Sequence, residues 1–443
     1  MNIVNRVGSG QLYTRKLCAL ASLDVANAFN SAPWEKIDAA RIHKRFPAYL
    51  IKMIRSCILS IITESGRRLV TTGVPQGLVI GPILWNIFYD GLMRLELPEG
   101  VQIVCFADDP AVVATGHTTW LLEKAMNDSL QLVSTWMEEQ GLLLSSSKSL
   151  AIMLTTKRGY DKPTFKIGDT VIELSDDVRY LGMQLSSVLG YRKHIEVASD
   201  KGTRTAAALS RLMPNVGGPS AAKRKLLTTV VHSQLLYAAP IWCGALQHEV
   251  NRNQLSSPKR KISLRVASAY CTVSYAAIMV VAGIIPIHLL AAERSEIEHA
   301  RRDGRDLAEA KREARDRAMN NWQAEWDRND TGSWTRRLIP RIDVWKNRRW
   351  GQLSYHVTQY LTGHGCFNKY LLRFKKRENA VCMYCDHPND DVEHTFIGCD
   401  RWWQERRILE VELGSELTPE IMVECMLQSK KNGIESSSSL QLS

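Results

Sequence analysis

The sequence predicts an α+β fold, with strands and helices mixed over the first 188 residues and helices dominating the remainder. Two apolar runs, Leu20–Val25 and Val101–Phe106, have the length and composition of buried strands. Between Leu122 and Met137 the apolar residues instead recur at helical spacing, and Gly141 follows as a helix end. With 443 residues, 45% of them hydrophobic, the chain is long enough to build more than one core.

Acidic residues stand at the ends of both predicted strands. Asp108 and Asp109 separate the run Val101–Phe106 from another apolar run, Pro110–Ala114, so we expect them in the tight turn of a hairpin. Asp24 closes the other predicted strand. Adjacent carboxylates repel one another unless a cation neutralises them, and hard divalent cations prefer oxygen ligands. An Asp-Asp dipeptide by itself also fits an ordinary surface turn. The third acid favours a site for two Mg²⁺ ions.

A loop rich in glycine and proline lies between the two acidic strands. The segment 73–77 reads Gly-Val-Pro-Gln-Gly, and Gly81-Pro82 precedes an apolar segment from Ile83 to Met93. Pro82 suits the first turn of a helix, and the segment beyond it has the length of a buried helix. A loop fixed in this way can approach a sugar or a phosphate closely.

Together these motifs resemble the reverse transcriptase of a non-LTR (LINE-type) retrotransposon. Its palm motifs match in order and spacing at 23–30, at 73–90 and at 106–109, where the sequence reads Phe-Ala-Asp-Asp. Further similarity is found at 141–148, at 178–182 (the hairpin that grips the primer), at 237–242 (the thumb), at 361–365 and in the Cys-His region near the end. The resemblance implies a right-hand polymerase palm, a helical thumb, and a C-terminal helical and zinc-binding region.

The resemblance also implies the reaction and the acids that support it. Asp24 and Asp108 would hold two catalytic Mg²⁺ ions, and Asp109 would be the second acid of the hairpin. An RNA-directed DNA polymerase of this family joins a primer 3′-hydroxyl to the α-phosphate of a deoxynucleotide without a covalent enzyme intermediate. In the family the primer is a nicked chromosomal strand, and the template is the RNA of the element, in target-primed reverse transcription.

Substrate contacts are implied for four further residues. Phe29 would pack under the incoming deoxyribose, where an aromatic face leaves no room for a 2′-hydroxyl, and core packing is the alternative. Gln76 and Gly77 would contact the nucleotide and the template from the loop. Lys148 would approach the outgoing pyrophosphate, and a solvated surface lysine is the alternative.

The sequence departs from the family in three places. Few residues precede the first acidic strand, so we expect an N-terminally truncated frame with the fingers region largely missing. Pro110 replaces an aliphatic residue, and a proline donates no hydrogen bond to a strand ladder, so the hairpin is expected to be weakened. Ser149-Leu150 stand where Thr-Glu is more usual. The alternative function is a catalytically impaired remnant that only binds RNA.

Positive charge is concentrated towards the C-terminus. The formal net charge is +11, and the segment 331–381 contains eleven Lys or Arg against two acids. Tryptophans and tyrosines are interleaved with these cations, which suits RNA because phosphates attract cations and bases stack on aromatic rings. The predicted nucleic-acid-binding residues are Arg336, Arg337, Arg348, Arg349, Lys375 and Lys376. The alternative is a solvated basic surface with its aromatic residues in the core.

Four Cys and His residues have the spacing of a zinc site. The pattern Cys382-x₂-Cys385-x₈-His394-x₄-Cys399 offers three thiolates and one imidazole, which complete a tetrahedral site with no open position. It therefore predicts one structural Zn²⁺. His387 is a rival ligand, but its closeness to Cys385 would strain the loop. The other cysteines are too scattered for a disulfide framework.

The predicted organisation is a palm at 1–188, a helical thumb at 189–295, a charged helical linker at 296–330, and a basic, aromatic-rich, zinc-binding region at 331–443 with a disordered tail. The apolar stretch Val273–Ala292 contains glycine, proline and histidine, so it is predicted as a packed thumb element and not as a membrane span.

The predicted partners are template RNA, primer DNA and deoxynucleoside triphosphates, without a membrane, and the oligomeric state is left open. We expect an intracellular protein, nuclear and cytoplasmic and not secreted, because no charged-then-apolar leader opens the sequence.

Overall fold

The computed structural model describes residues 16–58, 60–63, 66–69, 71–74, 79–155, 159–188, 190–349 and 351–428. The chain divides into two compact units, Met1–His194 and Ile195–Ser443. Helices occur in both units, and the first unit adds a mixed sheet, so the predicted α+β class is confirmed. The finer boundaries at 188, 295 and 330 stay predictions. The predicted Ser-rich tail lies outside the described residues.

A five-stranded sheet forms the centre of the first unit. The strands in chain order are β1 (Leu17–Ser22), β2 (Ser60–Thr63), β3 (Gly66–Leu69), β4 (Val101–Phe106), β5 (Asp109–Gly116), β6 (Leu150–Met153), β7 (Lys166–Ile167), β8 (Thr170–Val171), β9 (Glu173–Leu174), β10 (Asp177–Tyr180) and β11 (Met183–Ser186). The sheet has the order β4-β5-β1-β6-β9, and only the short β6–β9 pair is parallel. The remaining strands form two-stranded ribbons, β2–β3, β7–β8 and β10–β11.

The central strand of this sheet is buried because it has a neighbour on each side and helices packed against it. From Leu17 to Ala21, β1 is buried without alternation, and it pairs in antiparallel register with both β5 and β6. Its apolar side chains join one core cluster with those of the helices Ile80–Tyr89 and Thr119–Glu139. The polar groups of the catalytic motifs are therefore left at the strand ends.

Two of the helices in the first unit, Ile80–Tyr89 and Thr119–Glu139, correspond to predicted ones. The helices of this unit are Ala28–Ser31, Trp34–His43, Ala48–Ile58, Ile80–Tyr89 and Thr119–Glu139, with a 3₁₀ turn at Leu92–Arg94. In Thr119–Glu139 the buried face includes Leu122, Met126, Leu130, Val133 and Met137, which confirms the stripe read from the sequence. The helix starts where the hydroxyl of Thr118 accepts a hydrogen bond from Leu121 N–H at 3.2 Å.

Pro110 does not interrupt the hairpin that carries the acids. It pairs with Cys105 in the β4–β5 register and is buried. Its carbonyl accepts a hydrogen bond from Leu23 N–H at 3.0 Å, so the residue links β5 to the end of β1. The β4–β5 register continues through Pro110, and the expected weakening of the hairpin stays a prediction.

Helices make up the described part of the second unit. They are Arg192–Arg211, which starts just before the unit boundary, Ala221–Leu235, Ala239–Trp242, Glu249–Ala267, Tyr275–Ala282, Ile287–Arg302, Leu307–Asp327, Ser333–Leu338, Ile342–Lys346, Tyr355–Thr362, Asn368–Arg373, Trp403–Leu413 and Pro419–Gln428. Short turns of 3₁₀ or π type lie at Cys243–Gln247, His394–Gly398 and Asp400–Trp402.

One apolar helix lies at the centre of the second core. All residues from Ala277 to Ala282 are buried, and they share a cluster with the indole rings of Trp322, Trp326 and Trp345. The apolar stretch Val273–Ala292 is therefore packed, as predicted. Among the described residues no single helix is long and apolar enough to cross a membrane, and only the bent pair Tyr275–Ala282 and Ile287–Arg302 meets that length and composition together.

The charged segment 296–330 comprises the end of one helix and the whole of the next. Helices Ile287–Arg302 and Leu307–Asp327 lie against one another, and ion pairs such as Arg317–Glu296, with 2.8 Å between Nε and Oε2, join their surfaces. On the inner face of the second helix, Ala310, Ala314, Ala318, Trp322 and Trp326 are buried. The density of alternating charges concealed this stripe of alanine and tryptophan.

Candidate active site and zinc site

The two adjacent aspartates occupy the hairpin turn that the sequence predicts. Ala107 and Asp108 form the turn between β4 and β5, and Asp109 is the first residue of β5. Ala107 has a φ of 53°, a left-handed conformation that costs an L-residue on the order of 1 kcal/mol. The indole Nε1–H of Trp85 donates a hydrogen bond to the carbonyl of Ala107 at 2.8 Å. This contact holds the strained turn from the side of the helix Ile80–Tyr89.

Asp24 lies at the same edge of the sheet because β1 pairs with β5. Ser22 of β1 is paired with Ala111 of β5, and Leu23 N–H bonds to Pro110 one step further. Asp24 therefore follows β1 beside the start of β5, with its side chain 42% exposed. All three acids lie at one end of neighbouring strands, as predicted.

Electrostatic repulsion couples these carboxylates. Burial, then the charges of Asp108 and Asp24, raise the pKa of Asp109 above its usual value. A divalent cation would remove that repulsion, and carboxylate oxygens are ligands that Mg²⁺ accepts. The three carboxylates therefore offer the type of ligand that such an ion takes. Their oxygen atoms do not all lie within 4.8 Å of one another. Among the described residues, that close spacing is found for the Cys-His group of the second unit.

The loop at 145–149, which departs from the family pattern at Ser149, positions Asp24. Ser149 is 1% exposed, and its hydroxyl accepts from Asp24 N–H at 3.2 Å and donates to the Ser145 carbonyl at 2.9 Å. Ser145 N–H in turn donates to the Asp24 carbonyl at 2.7 Å. Lys148 lies beyond, 72% exposed, with its Nζ 3.9 Å from Asp24 Oδ2. The serine at 149 is thus an internal support of the site, and its only sequence signal is its position after Lys148.

Phe29 stands on a one-turn helix, Ala28–Ser31, below the same edge. Its ring lies 4.6 Å from that of Trp85, measured between centroids, and is half-buried. Its carbonyl accepts a hydrogen bond from Val74 N–H at 2.6 Å, which ties the start of the Pro-Gln-Gly loop to this helix. Gln76 and Gly77 lie outside the described residues. One part of the Phe29 ring packs against Trp85, and the exposed part is available for contact with a sugar.

The hairpin predicted to grip the primer also supports the acids. The β10–β11 turn lies at Leu181 and Gly182, which confirms the hairpin. From it, the hydroxyl of Tyr180 donates towards the carbonyls of Asp109 at 3.3 Å and Val104 at 3.5 Å. Burial, with the nearby Cys105 and Asp109, raises the pKa of Tyr180 to about 12, so the phenol stays a neutral donor near pH 7. No sequence motif predicts this contact.

The four predicted zinc ligands converge in the second unit. Their ligand atoms all lie within 4.8 Å of one another, and Cys385 Sγ is 3.3 Å from His394 Nε2. Cys382, Cys399 and His394 are nearly fully buried, so the site is closed to substrate. Three sulfur atoms and one imidazole nitrogen at this spacing suit tetrahedral Zn²⁺ in a structural role.

The rival ligand His387 has a different contact. Its ring stacks on that of His394, with 4.2 Å between centroids and 8° between planes, and its Nδ1 bonds within its own turn to Asn389. The backbone N–H of His387 is the main cause that lowers the pKa of Cys385, while burial raises the pKa of Cys399 to about 12. His387 thus packs beside the ligand set without joining it.

Residues 9–185 match the family model described as "Reverse transcriptase (RNA-dependent DNA polymerase)". A longer alignment, which covers 76% of this chain, relates it to the "Retrovirus-related Pol polyprotein from type-1 retrotransposable element R1 2" of Nasonia vitripennis. The two sequences are 27% identical, and the alignment covers 88% of that protein. The chain therefore carries a reverse transcriptase domain. It is similar to proteins of R1-type non-LTR retrotransposons, as the sequence motifs predict.

Other relatives of this reverse transcriptase are longer. The R1 Pol polyprotein of Bradysia coprophila is 25% identical over 75% of the chain, and the chain spans only 35% of it. The "RNA-directed DNA polymerase from mobile element jockey" of Drosophila melanogaster is 23% identical over 55% of the chain and 28% of that protein. A solved telomerase from Candida tropicalis, in complex with a fragment of telomeric RNA, aligns with 66% of the chain and 50% of its own at 12% identity, with a TM-score of 0.34.

Three arginines predicted to bind nucleic acid make contacts within the second unit of the chain. Arg336 stacks on Trp326 at 5.7 Å and donates to backbone carbonyls. Arg337 pairs with Glu393 and Glu420, which raise its pKa.

Arg348 is engaged in the same way. It stacks on Trp345 at 3.8 Å and donates to the carbonyls of Trp345 and Gly351, and burial lowers its pKa to about 10. Arg349, Lys375 and Lys376 are exposed, as is Arg337. The role of all six residues in nucleic-acid binding stays a prediction.

Replacing Ser149 with alanine tests the support of Asp24. We expect Ser149→Ala to lower the free energy of unfolding by about 1–2 kcal/mol, because Asp24 N–H loses its partner in a buried position. Urea denaturation of the reverse transcriptase provides the measurement. Ser147→Ala, at an exposed serine of the same loop, is the control and should leave stability unchanged. Equal stability of the two variants would contradict the proposed support.

The raised pKa of Asp109 predicts a dependence of stability on pH. Because folding raises this pKa, the ionised carboxylate opposes folding, and stability falls as pH rises from the ordinary aspartate range through the raised value. Without divalent cations, Asp109→Asn should therefore stabilise the protein at pH 7 and lose that advantage well below the ordinary pKa. Urea denaturation at both pH values measures this. Asp169→Asn, at an exposed turn, should show neither effect.

Removing zinc should unfold part of the second unit, because structural zinc contributes directly to folding. We expect one zinc per chain by metal analysis and a lower midpoint of thermal unfolding after chelation. Zinc affinity should rise with pH, since the Cys399 thiol must lose its proton. Cys385→Ser should reduce the zinc content, whereas Cys271→Ser, at an exposed cysteine outside the group, should not. A folded chain without zinc would contradict the site.

Proposed function

We propose that the chain is an RNA-directed DNA polymerase that extends a DNA primer on the RNA of an R1-type element by two-metal nucleotidyl transfer. The observation that carries this proposal is the placement of three acids at one edge of the sheet. The β1–β5 register and the bond from Leu23 N–H to the Pro110 carbonyl bring Asp24 beside Asp108 and Asp109. Two Mg²⁺ ions bound there would stabilise the charge that develops on the attacking and leaving oxygens.

The acids have the support that such chemistry requires. Asp24 is held by Ser149 and Ser145, and the hairpin turn is held by Trp85 and Tyr180. Phosphoryl transfer depends on positioning and electrostatic stabilisation more than on covalent chemistry, so rigid second contacts matter. A primer 3′-hydroxyl would form a bond to the α-phosphorus of the deoxynucleotide, its proton would leave to solvent, and pyrophosphate would depart.

Four other residues would complete the substrate site. Phe29, whose ring rests on Trp85, would present its exposed part to the deoxyribose. Lys148 pairs weakly with Asp24 and is mostly exposed, so it is free to turn towards the pyrophosphate once cations neutralise the acid. Gln76 and Gly77, which lie outside the described residues, would contact the nucleotide and the template.

The zinc site and the cellular setting belong to the same proposal. One Zn²⁺ would hold the end of the second unit together and take no part in the reaction. Target-primed copying onto a chromosomal strand requires entry into the nucleus, and synthesis of the protein places it first in the cytoplasm. The intact acids and their supports favour an enzyme over a remnant that only binds RNA.

The test is primer extension by the full chain on an RNA template with Mg²⁺. Asp108→Asn should lower the rate by about a hundredfold or more, because a metal ligand worth several kcal/mol of transition-state stabilisation is lost. Its affinity for RNA should be unchanged, since no phosphate contact is removed. Asp169→Asn is the matched control, with the same chemical change at an exposed turn. Extension by Asp108→Asn at the wild-type rate would contradict the proposal.

A further inference from the structure

A row of aromatic rings reaches the surface of the second unit. Tyr355, Tyr270 and Tyr370 follow one another with 6.0 Å between neighbouring ring centroids, and Phe374 continues the row 5.0 Å beyond Tyr370. The first three rings are half-buried, whereas Phe374 is 40% exposed. We call these four residues the aromatic row. It begins between helices and ends in an aromatic ring available to solvent.

Hydrogen bonds fix the rings of the aromatic row. The hydroxyls of Tyr270 and Tyr355 are 2.7 Å apart. Thr272 Oγ1 lies 2.5 Å from the Tyr370 hydroxyl and 2.8 Å from His364 Nδ1. The polar ends of the tyrosines are thus satisfied inside the protein, and the orientation of Tyr370, on which Phe374 rests, is set before any ligand arrives. Such preorganisation reduces the entropy lost on binding.

The exposed end of the row lies in a cluster of cations. Arg373, Lys375, Lys376 and Arg377 are all exposed, and together with Phe374 they form what we call the basic loop. The Arg373 guanidinium is 6.0 Å from the centre of the Phe374 ring. Within the described parts of the chain, none of these four cations has an ion-pair partner. They differ in this from Arg337, which two glutamates neutralise.

The zinc-bearing segment holds both ends of the basic loop. On one side, Asn368 N–H donates to Asp390 Oδ2 at 3.0 Å, and Lys369 N–H donates to the Asp390 carbonyl at 2.9 Å. On the other side, Asp390 N–H donates to the Ala380 carbonyl at 2.7 Å, just before the first zinc ligand. The left-handed φ of 54° at Lys375 turns the chain between these ends. The cations are therefore presented on an anchored loop.

We propose that the basic loop and Phe374 bind a single-stranded nucleic acid, with phosphates on the four cations and an unpaired base stacked on Phe374. An aromatic face next to unneutralised cations is the combination that single strands require, because stacking needs an open base and phosphates need positive charge. A duplex would offer only its phosphates. The proposal rests on the proposed function in one respect: unpaired template RNA is the strand that a reverse transcriptase must hold.

Binding of a fluorescent RNA of about 20 nucleotides to the full chain, measured by anisotropy over a range of salt concentrations, tests the charge contribution. Lys375→Gln/Lys376→Gln should reduce the slope of log affinity against log salt by about 1.4, since each phosphate contact to a single strand contributes about 0.7. The matched control is Lys311→Gln/Arg312→Gln, which removes the same charge from an exposed helix face. It should retain the wild-type slope.

The stacking contribution is tested at Phe374. Phe374→Leu keeps an apolar side chain of similar size but removes the aromatic face, and should weaken binding about tenfold without changing the salt slope. Phe374→Tyr should bind as the wild type does. A duplex of the same sequence should bind more weakly than the single strand and be insensitive to Phe374→Leu. Tighter binding of RNA than of the corresponding DNA strand would assign the surface to the template, and the reverse to the primer strand.

All variants are made in the Asp108→Asn chain as well as in the wild type, so that binding is read without catalysis. Failure of primer extension in the wild type would contradict the proposed function and leave the binding comparison intact. Wild-type affinity and salt slope in both Lys375→Gln/Lys376→Gln and Phe374→Leu would overturn the nucleic-acid surface, whatever the outcome of extension.

Discussion

Repulsion between three carboxylates is the constraint around which the first unit is organised. A sheet brings Asp24, Asp108 and Asp109 to one edge through backbone hydrogen bonds, which do not depend on the charges. Burial, and then the charges of Asp108 and Asp24, raise the pKa of Asp109. Contacts from elsewhere in the unit hold the backbone that carries these acids: an indole N–H donates to the carbonyl of Ala107, and a phenol donates to the carbonyl of Asp109. A site strained in its unliganded form is one that a cation stabilises.

Local sequence patterns predict the acids of the site but not the residues that support them. Apolar runs ending in acids predict strands and a turn because burial and charge are properties of neighbouring residues. The contacts of Ser149, Trp85 and Tyr180 join segments far apart in the chain, by 125 residues between Ser149 and Asp24. A serine or tyrosine carries no sign of which carbonyl or N–H it will meet. Sequence reasoning therefore found the charged groups of the site and missed the neutral ones that hold them.

In the second unit, composition was a poorer guide than in the first. The count of Lys and Arg in 331–381 predicts a basic surface, yet Arg336 and Arg348 lie over tryptophan rings and donate to backbone carbonyls. A guanidinium can satisfy several carbonyls at once while its planar face packs on an aromatic ring, so arginine is suited to such internal positions. Likewise, the charges of Leu307–Asp327 concealed a buried face, because long charged side chains on one side of a helix do not prevent small residues from packing on the other.

The exposed cations of the basic loop lie close in sequence to the predicted zinc ligands, which begin at Cys382. The Cys-His set is remote from the palm motifs in sequence, and its spacing alone predicted the ligands because four groups must meet one ion. Asp390 lies four residues before His394, and its backbone and carboxylate hold the start of Asn368–Arg373 and the segment after the basic loop. A zinc ion bound to the Cys-His set would therefore limit the movement of the basic loop without taking part in the reaction. In that arrangement the metal would act on function through the position of four cations and one phenylalanine.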